Sequence, residues 1–494
     1  MRERYLVFDL GASNGRAIVG HYDGEKIEFE EIHRFDNRPV FAAGEYFWDV
    51  LSFVLEIKIG LQKAYKKYDS FRSMAIDTWG CDFGIIDKQG RLMGNPVHYR
   101  DACRREVAPR MHEILSEEEL FLLCGGPCSR IMGIYELYSM KERNAFEYVH
   151  GHRMMLMPDL LGYFMTGKTA NEFTDATMTL LVNQQTRQWE PKIFEKLGLR
   201  MDLVKPLVEP GTVLGDLSDT VCRELEVEPM PVIIVPSHDT AAAVSGIPAK
   251  RGSKWAFISM GTWGLAGIET AEPIMDPAIV PLEFGNEGGV EGSNMLLKNI
   301  VGMWVIQQCR EKWNKEEGRT LDWGEIVEAA KQASEIQSFI DIEDPRFAGV
   351  QPSMPGAIAE YCRETGQAVP NTIGEVATVA FKSLAMEFKY SFKKVCEVTG
   401  LGFDVLHIVG GGIQNKLLAQ WVCDAVNVPV VAGPTETTSI GNLLFQLKAD
   451  GKIDNVEQGR ELCGNSYPTE EYKPQNPQAW DELYSNYCAL KTKK

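Results

Sequence analysis

The sequence predicts an α/β protein built from two related lobes. Strand-like apolar runs alternate with amphipathic helical stretches along most of the chain. A pair of strands flanking a short Gly-containing turn occurs twice, at residues 6–19 and 254–268. Near the midpoint of the 494 residues, the apolar run at 234–235 ends in Ser237-His238-Asp239-Thr240, and small residues follow. The repetition is of pattern rather than of residues, so it points to a duplicated lobe and not to a repeat array. A hinge at 246–252 would separate an N-terminal lobe, 1–246, from a C-terminal lobe, 247–494.

In order along the chain, residues 5–19 read as two strands joined by a turn from Gly11 to Gly15, and residues 26–35 as a third strand. A helical pattern covers 50–65, and Met74-Ala75-Ile76-Asp77 carries a strand to a polar tip. Residues 102–200 are mainly helical, interrupted at 124–128, and their Tyr135, Tyr138, Met154, Met155 and Met157 read as core. Short turns and strands return over 211–234. In the second half Ala377, Phe381, Leu384, Phe388, Phe392 and Val395 recur every three or four residues, one helix face that ends at Gly400. A strand at 405–409, a Gly-rich turn at 410–415 and a helix at 416–426 follow, then strand and helix again at 428–432 and 438–449. The more polar residues after Gly451 read as a peripheral tail with a closing helix at 480–491.

Composition narrows the function. The chain is 44% hydrophobic and 24% charged, enough apolar material for large cores. Its 51 basic and 69 acidic residues give a formal net charge of −18, which opposes non-specific attraction to nucleic acid or anionic membranes. No run approaches the ~20 apolar residues that span a bilayer. The eleven cysteines form no CxxC pair, so reduced thiols and a cytoplasmic location are expected. The expected partners are small molecules, with a monomer or small homo-oligomer and neither nucleic acid nor membrane.

Three Gly-containing turns each follow an apolar strand, at 9–16, 259–262 and 410–412. Glycine lets a backbone approach a phosphate, and successive N–H groups form an anion nest. The first turn is not a Walker loop, since no Gly-Lys-Ser/Thr follows, and not a dinucleotide fingerprint, since a strand comes next. Strand tips also carry Asp9, Asp77 and Asp239. Each alone reads equally well as a turn cap. Together with phosphate-type turns they fit phosphoryl transfer, in which one carboxylate organises hydrated magnesium and another polarises a substrate hydroxyl. His238 competes with Asp239 as general base, because imidazole titrates nearer pH 7. In a loose transition state a carboxylate suffices to take a late proton, which leaves the imidazole as a donor to a sugar oxygen.

Asp-Leu-Gly-Ala-Ser-Asn-Gly-Arg at 9–16, Ile-Asp-Thr-Trp-Gly-Cys-Asp-Phe at 76–83, Ser-His-Asp-Thr-Ala at 237–241, Gly-Thr-Trp at 261–263, Asn-Glu-Gly-Gly at 286–289, Leu-Lys-Asn at 297–299 and Ile-Val-Gly-Gly-Gly at 408–412 resemble, in this order, the rhamnulokinase branch of the FGGY carbohydrate kinases. The resemblance runs from about residue 5 to about 480. It implies a two-lobed actin- and hexokinase-like fold, each lobe with a ribonuclease H-like core, in which ATP meets a ketose. It implies that Ala12, Ser13, Asn14, Gly15, Arg16 and Thr262 contact phosphates, Asp9 the magnesium ion (Mg2+), and Gln307 and Gly411 the nucleotide. Gly80, His238, Asp239, Thr240 and Asn299 would meet the sugar, with Asp239 as base, and Asn415 is a further nucleotide candidate.

The activity implied is ATP-dependent phosphorylation of the 1-hydroxyl of L-rhamnulose, with L-fuculose or a xylulose as the alternative acceptors. An actin-like assembly ATPase would have no use for the motifs at 77–80 and 237–240, and a sugar-sensing DNA-binding protein would need a module this chain does not show. Met260 and Gly264 stand where relatives commonly have Ser, and Cys81 where Val is usual. Asn299 and Gln307, eight apart, are consistent with one helix face, and Trp263 reads as a core aromatic.

Overall fold

The structure is a computed structural model that describes residues 2–491. The chain forms two compact units. The first takes in residues up to Arg251, Glu269–Leu296 and Glu436–Tyr467; the second takes in Gly252–Ile268, Leu297–Thr435 and residues from Pro468 onward. Where a division into 1–246 and 247–494 is expected, the units interleave along the chain.

In the first unit β1 (Glu3–Leu10), β2 (Asn14–Tyr22), β3 (Ile27–Asp36), β4 (Met74–Thr78), β5 (Thr212–Asp216) and β6 (Pro231–Ile234) form one sheet in the order β3-β2-β1-β4-β6-β5. The centre β1-β4-β6 is parallel, and the flanking pairs are antiparallel. Tyr5, Leu6, Val7, Phe8 and Leu10 are all fully buried, the continuous apolar run that a strand covered on both faces requires. Leu6 and Phe8 pack with Phe53, Ile57 and Leu61, from the helix Val50–Lys67, whose buried residues recur at helical spacing. Tyr5 and Val7, on the opposite face, pack with Ile440, Leu443 and Leu447 of the helix Thr437–Ala449. A segment from late in the chain thus closes the sheet that the N-terminus opens.

In the second unit β7 (Trp255–Met260), β8 (Trp263–Thr270), β9 (Asn294–Val301), β10 (Val405–Val409), β11 (Val430–Ala432) and β12 (Glu470–Tyr472) run in the order β9-β8-β7-β10-β11-β12. Again an antiparallel hairpin leads into a parallel centre, β7-β10-β11, and an antiparallel edge strand. The two sheets are built to one plan, a duplication visible in topology where residue identity hides it. The helix Ile373–Thr399 begins with a capping box from Thr372 and Glu375 and ends at Gly400, whose φ of 72° is the left-handed conformation glycine tolerates.

Residues 39–48, between the third strand and the helix Val50–Lys67, form a hairpin, Pro39–Ala42 with Glu45–Trp48. Three expectations change. The stretch 211–234 contains a helix, Asp219–Leu225, capped by Ser218. The residues after Gly451 are not one peripheral tail: the helix Val456–Ser466 packs in the first unit, where Arg460 pairs with Glu269 at 2.8 Å. Asn299 and Gln307 do not share a helix face. Asn299 lies on β9 and Gln307 on the helix Trp304–Glu317, because Gly302 and Met303 interrupt the period.

Within the first unit the helices Asp239–Ser245 and Thr437–Ala449 cross at glycine contacts. A Cβ on Gly441 would fall 1.9 Å from the Ala242 carbonyl oxygen, and one on Gly246 would fall 2.4 Å from that of Thr437. Backbone cannot swing aside as a side chain can, so Gly441→Ala is expected to destabilise the first unit by about 1–3 kcal/mol. Urea denaturation followed by circular dichroism measures this; an unshifted midpoint would refute the tight crossing.

Candidate active site

The pairing of β1 with β4 sets Asp9 directly beside Asp77. The end of β4 continues this parallel pairing to the next segment: Thr78 bridges His238, and its N–H donates to the Ser237 carbonyl at 2.9 Å. Asp239 is then the first residue of the helix Asp239–Ser245, with His238 at its N-cap. The three acids therefore gather at the carboxyl ends of parallel strands, where open α/β sheets bind ligands.

Their surroundings differ. Asp9 Oδ2 accepts from Arg16 Nη2 and from Ser439 Oγ, both at 2.7 Å, and Arg16 also pairs with Glu436 at 2.6 Å. Asp77 is fully buried; its Oδ2 accepts from Asn442 Nδ2 at 2.6 Å, and its Oδ1 has no hydrogen-bond partner among the described residues. Burial, then the neighbouring Asp9 charge, pushes the Asp77 carboxyl well above the usual range. The same two causes push Asp239 up to about 7, against the Thr240 hydroxyl, which donates to it at 3.2 Å. The Asp239 side chain still keeps 34% of its surface exposed.

His238 is buried between two acids. Its Nε2 lies 3.5 Å from Asp239 Oδ1 and its Nδ1 3.4 Å from Glu287 Oε2. Burial lowers its pKa and Glu287 opposes the shift, which favours a neutral ring with one N–H to give and one lone pair. The segment is held from behind. Ser237 N–H donates to Glu172 at 3.4 Å and His238 N–H to Thr174 Oγ1 at 3.3 Å. Gly80 sits against the imidazole: a Cβ there would lie 3.1 Å from His238 Cδ2 and 2.6 Å from Met178.

The turn from Gly11 to Gly15 leaves Ser13 and Asn14 exposed. Asn37 holds it through an Nδ2 bond to the Gly11 carbonyl at 2.5 Å and a backbone bond to Ser13. In the second unit, Gly261 and Thr262 form the exposed turn between β7 and β8. Met303 and Trp304 N–H donate to the Gly261 and Thr262 carbonyls at 3.1 and 3.0 Å. Asn299 is exposed and Gln307 half-buried. A Cβ on Gly411 would meet nothing within 4 Å, while Gly410 packs on the Met260 backbone with φ of 84°. Asn415 caps the helix Lys416–Val426 through its Oδ1, and its Nδ2 has no partner among the described residues. Trp263 is 44% exposed and is not the core aromatic expected; the hairpin tip carries it outward.

Asp9, Ala12, Ser13, Asn14, Gly15, Arg16, Gly80, His238, Asp239 and Thr240 thus fall in the first unit, and Thr262, Asn299, Gln307 and Gly411 in the second. Sequence reading missed Ser439, Asn442, Glu287, Glu172 and Asn37. The polar residues Ser439, Asn442 and Gln446, recurring at three and four residues in an otherwise apolar helix, were the available signal.

Among the described residues no group of three or more His, Cys, Asp or Glu is arranged to hold a metal ion. Magnesium does not need one: it keeps most of its waters and takes one or two carboxylates together with substrate phosphates. Asp9 beside Asp77, whose Oδ1 is unpartnered, fits that requirement.

Carboxylates at strand ends beside glycine turns, on twin sheets of this topology, define the class of phosphotransferases with actin- and hexokinase-like folds. Among solved structures, a ligand-bound xylulose kinase from Lactobacillus acidophilus superimposes with a TM-score of 0.83 at 12% identity, covering 99% of this chain and 98% of its own. A Plasmodium falciparum glycerol kinase with ADP gives 0.77 at 14% identity, covering 100% and 97%. Residues 4–246 match the N-terminal domain, and residues 256–449 the C-terminal domain, of the FGGY family of carbohydrate kinases. The chain belongs to that family and is a carbohydrate kinase with ATP as co-substrate. Rhamnulokinases from Bacteroides thetaiotaomicron and Enterococcus faecalis are 34% and 37% identical to it, over 99% and 96% of this chain and 99% and 94% of theirs. No helix among the described residues is long and apolar enough to cross a membrane, and all eleven cysteines are free.

The raised Asp239 carboxyl ties stability to pH. Its pKa in the fold, about 7, lies above the ordinary carboxylate value of 3.8. Its contribution is therefore present in full below about pH 4 and is lost as pH rises through about 7. Asp239→Asn is expected to melt at a higher temperature than the wild type at pH 8, with the difference vanishing near pH 4. Thermal denaturation across that range would contradict the raised carboxyl if the two curves stayed parallel.

Proposed function

We propose that this carbohydrate kinase transfers the γ-phosphoryl group of ATP to the 1-hydroxyl of L-rhamnulose, giving L-rhamnulose 1-phosphate and ADP. The observation that carries the chemistry is Asp239, a carboxylate at a helix start whose pKa is pushed up to about 7. A base is most effective when its pKa lies near the working pH. The choice of acceptor rests on the near full-length similarity to rhamnulokinases. The neighbours named as xylulose kinases share 12–16% identity and bear on the fold alone.

In this reading Asp239 takes the proton of the sugar hydroxyl as its oxygen attacks the γ-phosphorus. His238, neutral and buried, donates to a sugar oxygen. Thr240, Gly80 and Asn299 complete the acceptor site. The 11–16 turn and Thr262 offer backbone and side-chain donors to phosphate oxygens, and Gln307 and Gly411 contact the nucleotide. Asp9 holds hydrated magnesium, which would neutralise charge on the phosphates. Arg16 Nη2, 2.7 Å from Asp9 Oδ2, holds that side chain in place.

Asp239→Asn is expected to lose about 10²–10⁴-fold in turnover while ADP binding is kept. The wild-type kcat/KM should fall as pH drops below about 7, as the base gains a proton, and the variant's residual rate should lack that limb. A coupled assay of ADP release over L-rhamnulose, L-fuculose and xyluloses tests both acceptor and base. Preference for a xylulose would replace the acceptor, and wild-type turnover by Asp239→Asn would sink the mechanism. Asp9→Asn should weaken ADP binding in calorimetry only when magnesium is present; equal weakening without the metal would argue against its role.

A further inference from the structure

Residues 79–82, which put Gly80 against His238, are held in an unfavourable shape. Cys81 has φ of 79° and is 3% exposed; a non-glycine residue stays in the left-handed region only where its surroundings over-determine it. One guanidinium bonds to both Cys81 and Asp82. Arg104, 1% exposed, donates from Nη1 to the Cys81 carbonyl at 3.3 Å and to the Ile131 carbonyl, and from Nη2 to Asp82 Oδ1 at 2.6 Å. The other oxygen of Asp82 accepts two indoles, Trp48 Nε1 at 2.6 Å and Trp79 Nε1 at 2.8 Å, with the two rings 4.2 Å apart. Asp82 itself is fully buried. Every residue from Trp79 to Asp82 is therefore tied, directly or through its neighbour, to one ion pair that the proposed chemistry does not use.

We propose that the Asp82–Arg104 pair is a positioning device for the sugar, holding Trp79-Gly80-Cys81 in the shape that seats the acceptor hydroxyl beside Asp239. This rests on the proposed reading of Gly80 and His238 as sugar contacts. A buried pair of this kind is weak evidence for stability, since well-packed apolar residues often do as well; its fork geometry is better suited to fixing a carbonyl and a carboxylate at once. Lysine keeps the charge but has one nitrogen in place of the planar fork that bonds Cys81 from Nη1 and Asp82 from Nη2. The turn should then relax and displace Gly80 from the imidazole, leaving the nucleotide contacts assigned to the second unit untouched.

The test is initial-rate kinetics of the full chain, wild type, Arg104→Lys and Trp79→Phe, varying ketose at saturating ATP and ATP at saturating ketose, with melting curves alongside. The ketose is whichever the wild type uses with the highest kcat/KM. Arg104→Lys is expected to raise the ketose KM about tenfold or more, with the ATP KM held within about twofold. Trp79→Phe, which removes one indole donor to Asp82 together with part of a buried ring, should raise the ketose KM by about threefold. A lower melting temperature with neither KM changed would make the pair purely structural and overturn the inference, as would an equal rise in both KM values. Should Arg104→Lys fail to fold, the same split in Trp79→Phe decides. A wild type inactive on every ketose overturns the functional reading and this inference together; an active wild type with unshifted variants overturns this inference alone.

Discussion

The structure of the first unit depends on the register of β1 against β4. Because side chains alternate along a strand, the pairing of Asp9 with Asp77 puts two carboxyl groups on one face and beside one another. A slip of one residue would send one of them to the opposite face. Like charges this close in a buried setting are unfavourable, so the fold has to supply donors. It does so with a stripe on the helix Thr437–Ala449: Ser439 reaches Asp9, Asn442 reaches Asp77, and Gln446 reaches the Leu6 carbonyl at 2.9 Å and Ser73 at 2.7 Å. These partners are 430 and 365 residues apart in sequence for the two acids. The late segment belongs to the first unit because the early strands need its polar stripe and its apolar face at once.

That arrangement divides the labour among three chemically identical groups. Asp9 has a guanidinium and a hydroxyl on one oxygen and is the acid best supplied with partners. Asp77 has one amide donor and full burial, so its acidic form is favoured. Asp239, with a hydroxyl donor and part of its surface open, is pushed up to about 7. Three like groups at one sheet edge thus stand in three different surroundings. His238 completes the set without competing: burial disfavours its cationic form.

Local chemistry made much of this legible. The strand pairs at both lobe starts, the Gly400 stop and the strand–turn–helix at 405–426 follow from apolar period and glycine placement, and they stand where the pattern put them. What escaped the sequence was non-local. Nothing in residues 436–467 says that their helices cover a sheet begun at residue 3, since a helix's apolar face does not name its partner. Period alone also misled at 299–307, where Gly302 converts a strand into a helix within two residues. Trp263 was misread for a related reason: burial of a large aromatic is a good expectation for a strand centre and a poor one for a hairpin tip.

The two hairpin turns show that one topology can be stabilised in two ways. In the first unit, side chains fasten the turn: Asn37 binds Gly11, and the Phe35 ring covers Gly15 so closely that a Cβ there would lie 2.2 Å from it. In the second unit, backbone fastens the turn, and Gly302 makes this possible, since a Cβ on it would fall 2.5 Å from the Gly264 nitrogen. The departures at 260 and 264 belong to the same packing. Met260 fills the space over Gly412, and a side chain at 264 would press on Phe388 at 3.2 Å. With Met303 and Trp304 bonded to Gly261 and Thr262, the start of the helix that carries Gln307 cannot move without the turn. The bonds themselves come from backbone groups, and it is the close approach at Gly302 and Gly264 that ties the turn to its sequence.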